Sequence, residues 1–446
     1  MGLKYIEPVK SVVLILLVFM SITLSFSIWT YTPKYPTIEE ATTVDVSIAD
    51  KRDVEDVLKP YKIIFNFKEG LKGTTDLREK SSIVEALKSW EITNIGLADS
   101  KFSGTKVNKF FHEINRFTLY FHGEVPLPVY DMVLNKEASN YPETTFDRLT
   151  VEWSPGDPLL KVHFTSSMKG MRYTGEVKIN DFQDFNRSVL TEAKDYLDYK
   201  EINSGNSSFI AVPTEPIEIV RNIYYQDGVL PSRFRDALFS DPHAVRRGQI
   251  TTTREEYQDN HAIMSIDSKR KVLNFVHPIV ESKDSAIPSV LLKKTIDFVN
   301  EHGGWTDEYR FTYMDPKSRK VKFQLFVHDL PVHSEMTSTE IEQTWGIDQV
   351  FRYVRPYYML DLTFDFEPLK VLLPSGVDVA KALIESKTVD FSTVEAIELG
   401  YFLKHDTEHD AEERLFVLEP SWFYLIKGKW NRYSPEELGG EKIGLE

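Results

Sequence analysis

Residues 9–29 read VKSVVLILLVFMSITLSFSIW, and no charged side chain interrupts them after Lys10. At about 1.5 Å per residue, a helix of this length spans the roughly 30 Å hydrocarbon core of a bilayer. Lys4 and Lys10 precede it against a single acid, Glu7, which predicts a cytoplasmic N-terminus. Trp29, Tyr31 and Tyr35 supply aromatic anchors for the far interface. No later stretch is apolar enough to span again. The expectation is residues 1–10 in the cytoplasm, one transmembrane helix over 11–31, and an extracytoplasmic remainder held at the cell membrane by a single pass.

The rival for this stretch is a cleaved signal peptide. Ser25-Phe26-Ser27 places small residues at the two positions that a cleavage site needs. The apolar run, however, is longer than the roughly 7–15 residues of a signal h-region, and it continues through Ile28 and Trp29. The uncleaved anchor is the reading that follows.

Composition fits an exported globular protein. With 446 residues and 41% hydrophobic content the chain can bury several cores, which predicts two or three domains. The absence of cysteine removes disulfides, thiolate metal sites and cysteine nucleophiles together. A net charge of −15, spread among many lysines and arginines, suits neither nucleic acid nor anionic lipid and envelope polymers. A protein or cationic neighbour fits better.

Residues 32–52 read as a stalk, since Pro33 and Pro36 stop the helix from continuing. An α+β domain follows over 53–205. Its expected strands are 61–67, 92–97, 117–122, 149–153, 161–165 and 171–179. Asp76 caps a helix that carries Ile83, Val84, Leu87 and Trp90 on one face, and a long helix is expected over 181–199. The polar run Asn203-Ser204-Gly205-Asn206-Ser207-Ser208 reads as a linker. A central domain over 206–333 combines strands 217–225, 247–253, 261–267 and 271–277 with helices 231–239 and 289–302. It closes on a hairpin, 309–313 with 320–327, around Asp315-Pro316-Lys317-Ser318. A third domain over 334–446 repeats the plan: strands 340–345, 351–355 and 358–365, a helix over 377–385, then a hairpin of 395–404 with 414–424. The fold class is therefore α+β: one transmembrane helix and three extracytoplasmic α+β domains. The last two read as a degenerate duplication of antiparallel sheet, helix and long hairpin.

Motifs that could carry chemistry fail on context. His405-Asp406-Thr407-Glu408-His409 fits the H-x-x-E-H pattern of inverted zinc peptidases. That chemistry needs a helix, so that His405 and His409 face one metal with Glu408 as base. Here the motif lies between two alternating strands and is followed by acidic residues, as a polar hairpin tip would be. His302-Gly303-Gly304-Trp305 resembles an esterase oxyanion loop, but no G-x-S-x-G elbow exists for it to serve. Paired glycines after a helix more simply form its left-handed C-cap, with Trp305 folding back on the core. Three S-x-x-K matches, at Ser103, Ser166 and Ser268, lack the K-T-G strand of penicillin-recognising enzymes. No catalytic, cofactor or metal site is expected.

The membrane helix itself is the candidate binding surface. Leu14, Val18, Ser21, Ser25 and Ile28 follow steps of four and three along one seam. Ser21 and Ser25 form a small-x-x-x-small pair, which lets a second helix approach closely and hydrogen-bond across. The same hydroxyls can instead bond their own backbone one turn back.

Several blocks resemble a known family. They are the N-terminal block from Lys10 to Trp29, Asp297-Phe298-Val299-Asn300-Glu301-His302-Gly303-Gly304-Trp305 with Tyr309-Arg310-Phe311, Gln343-Thr344-Trp345-Gly346, and Trp422-Phe423-Tyr424 with Lys427-Gly428-Lys429-Trp430. In this order they resemble the YycH (WalH) regulatory proteins of low-GC Gram-positive bacteria. The resemblance implies a non-enzymatic, single-pass protein with a three-domain extracytoplasmic part. It implies action with a sister protein, YycI (WalI), on the sensor histidine kinase WalK (YycG), partly through contacts between membrane helices. Through the response regulator WalR that kinase governs cell-wall metabolism. Two alternatives stay open: an envelope-ligand module, marked by a concave, aromatic-lined pocket, and a membrane-anchored metallohydrolase built on His405, Glu408 and His409.

Overall fold

The computed structural model describes residues 14–25, 48–134, 141–203, 209–282, 284–363, 369–406 and 415–434, with backbone alone at 361–363. The chain divides into two compact units, Met1–Val44 and Asp45–Glu446.

In the first unit, residues 14–25 are helical and every described side chain is exposed. Among the described residues no helix is long and apolar enough to cross a membrane. The rest of the expected span over 11–31, including Ile28, lies outside the described residues, as does most of the stalk.

The second unit opens on a nine-stranded sheet, antiparallel at every step. Its order is Ile92–Asp99, Met171–Lys178, Leu159–Ser166, Thr145–Glu152, Arg116–Pro126, Lys62–Phe67, Gly70–Thr74, Leu197–Ile202 and Ile210–Pro213. Helix Leu77–Lys88 packs against it. The Asp76 carboxylate accepts hydrogen bonds from the Arg78 and Glu79 amides at 2.8 and 3.2 Å, satisfying two of the unpaired donors at the helix start. Ile83, Leu87 and Trp90 go into the core as the periodicity requires.

The helix expected over 181–199 needs correction. A turn of α-helix, Phe182–Phe185, passes into a π segment, Asn186–Thr191, and a 3-10 turn, Glu192–Asp195. The wider π turn carries Val189 and Leu190 into the core side by side. Beyond it the chain is a strand, Leu197–Ile202. Tyr199 packs its ring over Gly73, where a Cβ would come within 2.8 Å of it. Sheet pairing with Gly70–Thr74 outweighs the local helical period.

The remaining strands form a second, fifteen-stranded network among the described residues. Its main path runs Arg246–Thr251, Arg254–Gln258, Ile263–Asp267, Val272–Val276, Val350–Pro356, Glu340–Trp345, Lys320–Val327, Leu330–His333, Val394–His405, Leu415–Ile426, Ile217–Gly228 and Tyr358–Thr363. The order interleaves strands from either side of residue 333. Leu330–His333 with Val394–His405 is a parallel pair. Helices Pro288–Glu301 and Gly376–Glu385 form where the apolar periodicity places them. The residues that join the strands 309–315 and 320–327 do so through an Asp315 carboxylate that accepts from the Lys317 amide at 3.0 Å and the Ser318 hydroxyl at 2.5 Å.

One hydrophobic core runs through this unit from Val57 to Trp422. Strand Arg116–Pro126 lies so close to strand Tyr309–Asp315 that a Cβ on Gly123 would sit 2.9 Å from the Thr312 carbonyl. Only glycine fits that crossing.

Candidate interaction site

Nine of the residues in 14–25 are large and apolar, and each is between 51% and 69% exposed. A helix that is apolar all round belongs inside a protein or a bilayer, because water disfavours every face of it. Leu14, Val18, Ser21 and Ser25 all fall on this helix, and Ile28 lies outside the described residues. The Thr23 hydroxyl, on another face, donates back to the Phe19 and Met20 carbonyls at 2.8 and 3.0 Å. It is satisfied within the helix, as hydroxyls in apolar helices commonly are.

Residues 48–52 are the first described residues of the second unit, where a built clamp holds them. The clamp is the end of helix Pro288–Glu301. Gly303 and Gly304 take positive φ, 105° and 75°, and the Gly304 amide returns to the Val299 carbonyl at 2.8 Å, closing a left-handed C-cap. The turn then grips the incoming chain. The Ala49 amide donates to the Gly303 carbonyl at 2.9 Å, and the Trp305 amide donates to the Asp50 carbonyl at 3.0 Å. The Asn300 side chain accepts from the Arg52 amide at 2.9 Å and donates to the Arg52 carbonyl at 2.9 Å. The Trp305 indole donates to the same Asn300 oxygen at 2.8 Å. From below, the fully buried Arg355 guanidinium donates to the Gly304 carbonyl at 2.9 Å and lies over the Phe234 ring. A Cβ at Gly304 would overlap the Ala49 carbonyl.

The two halves of the second unit are joined by buried charges. Lys80, almost fully buried on helix Leu77–Lys88, pairs with Asp329 and donates to the Tyr61 carbonyl at 3.0 Å. Asp329 also pairs with buried Arg310, whose guanidinium reaches Glu308 at 2.5 Å. His328 and Asp329 both have positive φ, 46° and 67°, as a two-residue hairpin turn requires. Burial pulls the Lys80 ammonium down to about 8, against the opposing pull of Asp329. Nearby, His122 Nε2 meets the Glu398 carboxylate at 2.9 Å, and Tyr61 stacks on the His122 ring at 4.0 Å. Burial works against the Glu398 charge, but His122, Lys62 and the Tyr61 hydroxyl together hold its carboxyl below the ordinary range. Burial lowers Lys62 to about 8.

The enzyme-like motifs take structural places. His405 ends strand Val394–His405, not a helix, and residues 407–409 lie outside the described residues. Among the described residues no three His, Cys, Asp or Glu side chains converge to hold a metal ion. Ser166 donates to Glu124 at 2.7 Å and Ser268 to the Thr253 carbonyl at 3.1 Å. In the Gln343-Thr344-Trp345-Gly346 block, buried Gln343 donates to the Thr295 carbonyl at 3.0 Å and accepts from the Trp345 indole at 2.9 Å. The blocks at 297–305 and 343–346 are packing joints.

Two family models match the chain. One, described as the YycH protein N-terminal domain, covers residues 7–189, and the other, the YycH protein C-terminal domain, covers 207–437. The chain is 20% identical over 437 residues to the two-component system WalR/WalK regulatory protein YycH of Bacillus subtilis (strain 168), covering 95% of each. A crystal structure of YycH from Bacillus subtilis matches with a TM-score of 0.73 at 17% identity, over 87% of this chain and 100% of that one. That likeness shows a common fold.

Proposed function

The chain belongs to the YycH family, and from that premise we propose that it is a membrane-anchored accessory regulator of a WalK-type sensor histidine kinase. It acts with a YycI-type sister protein through contacts between membrane helices and between extracytoplasmic surfaces, and its output is control of cell-wall metabolism. The observation that carries this reading is the exposed apolar helix with Ser21 and Ser25 one turn apart. In this reading its neighbours are lipid and other helices.

The energies suffice. A kinase poised between two states needs only a few kcal/mol of differential binding to change its output. A hydrogen bond between membrane helices contributes about 0.6–2 kcal/mol, so two serines on a close-packed seam are of the right size. Within the folded unit, the clamp at 300–305 fixes residues 48–52. The chain's own role in this reading is non-catalytic.

The test is a WalR-dependent transcriptional reporter in cells carrying Ser21→Leu with Ser25→Leu. Output should change about threefold or more, the equivalent of roughly 0.6 kcal/mol or more, at normal protein level and export. Unchanged output would remove the helix mechanism.

A further inference from the structure

A groove of about 1260 Å³ opens on the second strand network, beside strand Lys429–Arg432. Its floor is Trp422 and Phe423, and partly exposed rings stand along it at Phe402, Tyr424, Trp430 and Tyr433. Neutral hydrogen-bonding side chains fill the spaces between them, among them Gln324, Ser334, Ser338 and Asn431.

Most of the charged groups that line the groove have a partner in the protein. Lys322 pairs with Glu340 at 2.6 Å, Glu419 with Lys404 at 3.0 Å, and Asp378 accepts from the Ser375 hydroxyl at 2.6 Å. Arg432 donates to the Ser421 hydroxyl at 2.9 Å and lies 4.4 Å over Phe402. Arg270, Lys429 and Glu335 stand exposed at the rim, where water screens them. The charge that is left sits at the rim and not among the rings.

One polar group is left over. His333 lies 4.4 Å from Phe423 and 5.8 Å from Trp430, and its Nε2 is buried with no hydrogen-bond partner. Burial pushes its pKa down to about 4, so at neutral pH the ring is uncharged and can accept from or donate to a hydroxyl. A buried nitrogen of this kind is costly unless something meets it.

We propose that this groove binds an uncharged oligosaccharide. A sugar ring offers apolar C–H faces to aromatic rings and hydroxyls to neutral side chains, with no charge to be neutralised. The volume exceeds the roughly 300–1,000 Å³ of sites for single small ligands, so several linked rings fit. An extended peptide added to the Lys429–Arg432 edge would use backbone groups and leave His333 and the ring faces without a role. The inference stands apart from the helix reading, and each can fail alone.

The experiment uses the full chain in lipid nanodiscs, titrated calorimetrically with chitotetraose, cellotetraose and maltotetraose, and with a ten-residue peptide of alternating Thr and Val. Saturable binding of at least one sugar is expected, weakened tenfold or more by Trp430→Ala and by His333→Phe. Tyr433→Ala should weaken it severalfold, and the melting temperature and circular dichroism of each variant separate loss of binding from loss of fold. The proposal is overturned if no sugar saturates, if the variants bind as the parent does, or if only the peptide binds.

Discussion

The helix at 14–25 and the junction around Asp329 invert the usual partition of side chains in opposite ways. On the helix, nine large apolar side chains are more than half exposed. At the junction, Lys80, Arg310 and Asp329 are between 2% and 6% exposed. Apolar surface left outside is disfavoured in water, so the proposed function makes this helix the side that a partner covers. Charge placed inside must be matched within the chain, so the junction is a finished interface. A buried ion cluster adds little net stability over an apolar packing, but its geometry admits one docking of the two halves. The folded unit thus closes on itself, and in the proposed function the helix is the part that a partner meets.

Breaking the finished side should have the largest effect. Asp329→Ala leaves Lys80 and Arg310 buried without their shared carboxylate, and should destabilise the protein by about 3–5 kcal/mol in urea unfolding. A loss below about 1 kcal/mol would mean that water already reaches the cluster.

Alkaline titration sharpens the same point. Lys80 and Lys62 titrate near 8 in the folded chain against 10.5 when exposed, chiefly because they are buried. Between those values the unfolded chain binds more protons than the folded one, so these two groups make stability rise with pH. Urea midpoints for the parent and Lys80→Met, taken from pH 8 to 10, should show a shallower rise in the variant. Equal slopes would place the Lys80 ammonium in contact with solvent.

The clamp lies between the two extremes. Gly304→Ala forces a side chain onto the Ala49 carbonyl at a φ of 75°. The strain should cost about 1–3 kcal/mol. Because it is local, hydrogen exchange should speed up at residues 49 and 52 while the sheet core keeps its protection. Loosening of the whole unit instead would make the clamp part of the core.

Much of the local structure was legible in the sequence. The Asp76 cap, the apolar face of Leu77–Lys88, the turn at Asp315 and the left-handed glycines after Pro288–Glu301 rest on interactions within a few residues. That Leu14, Val18, Ser21 and Ser25 fall on one helix could be read because helical periodicity is local too. The strand order could not, because pairs such as Val272–Val276 with Val350–Pro356 join residues far apart in the chain. Lys80 reads as a solvated helix position until the hairpin turn that brings Asp329 to it is known. Asn300 carried no signal of its own, since the backbone it holds at Arg52 lies 248 residues away. Short strands such as Leu330–His333 escaped because four residues hold too little periodicity.

Co-purification separates a contact made by the helix from one made by the folded unit. Tagged full-length chain and a version whose residues 11–31 are replaced by an unrelated transmembrane helix should both reach the membrane and be solubilised in equal amount. The full-length chain should retain a WalK-type kinase, and the exchanged version should lose most of it. Equal recovery of the kinase by both would contradict the account, and would move the regulatory contact to the folded unit.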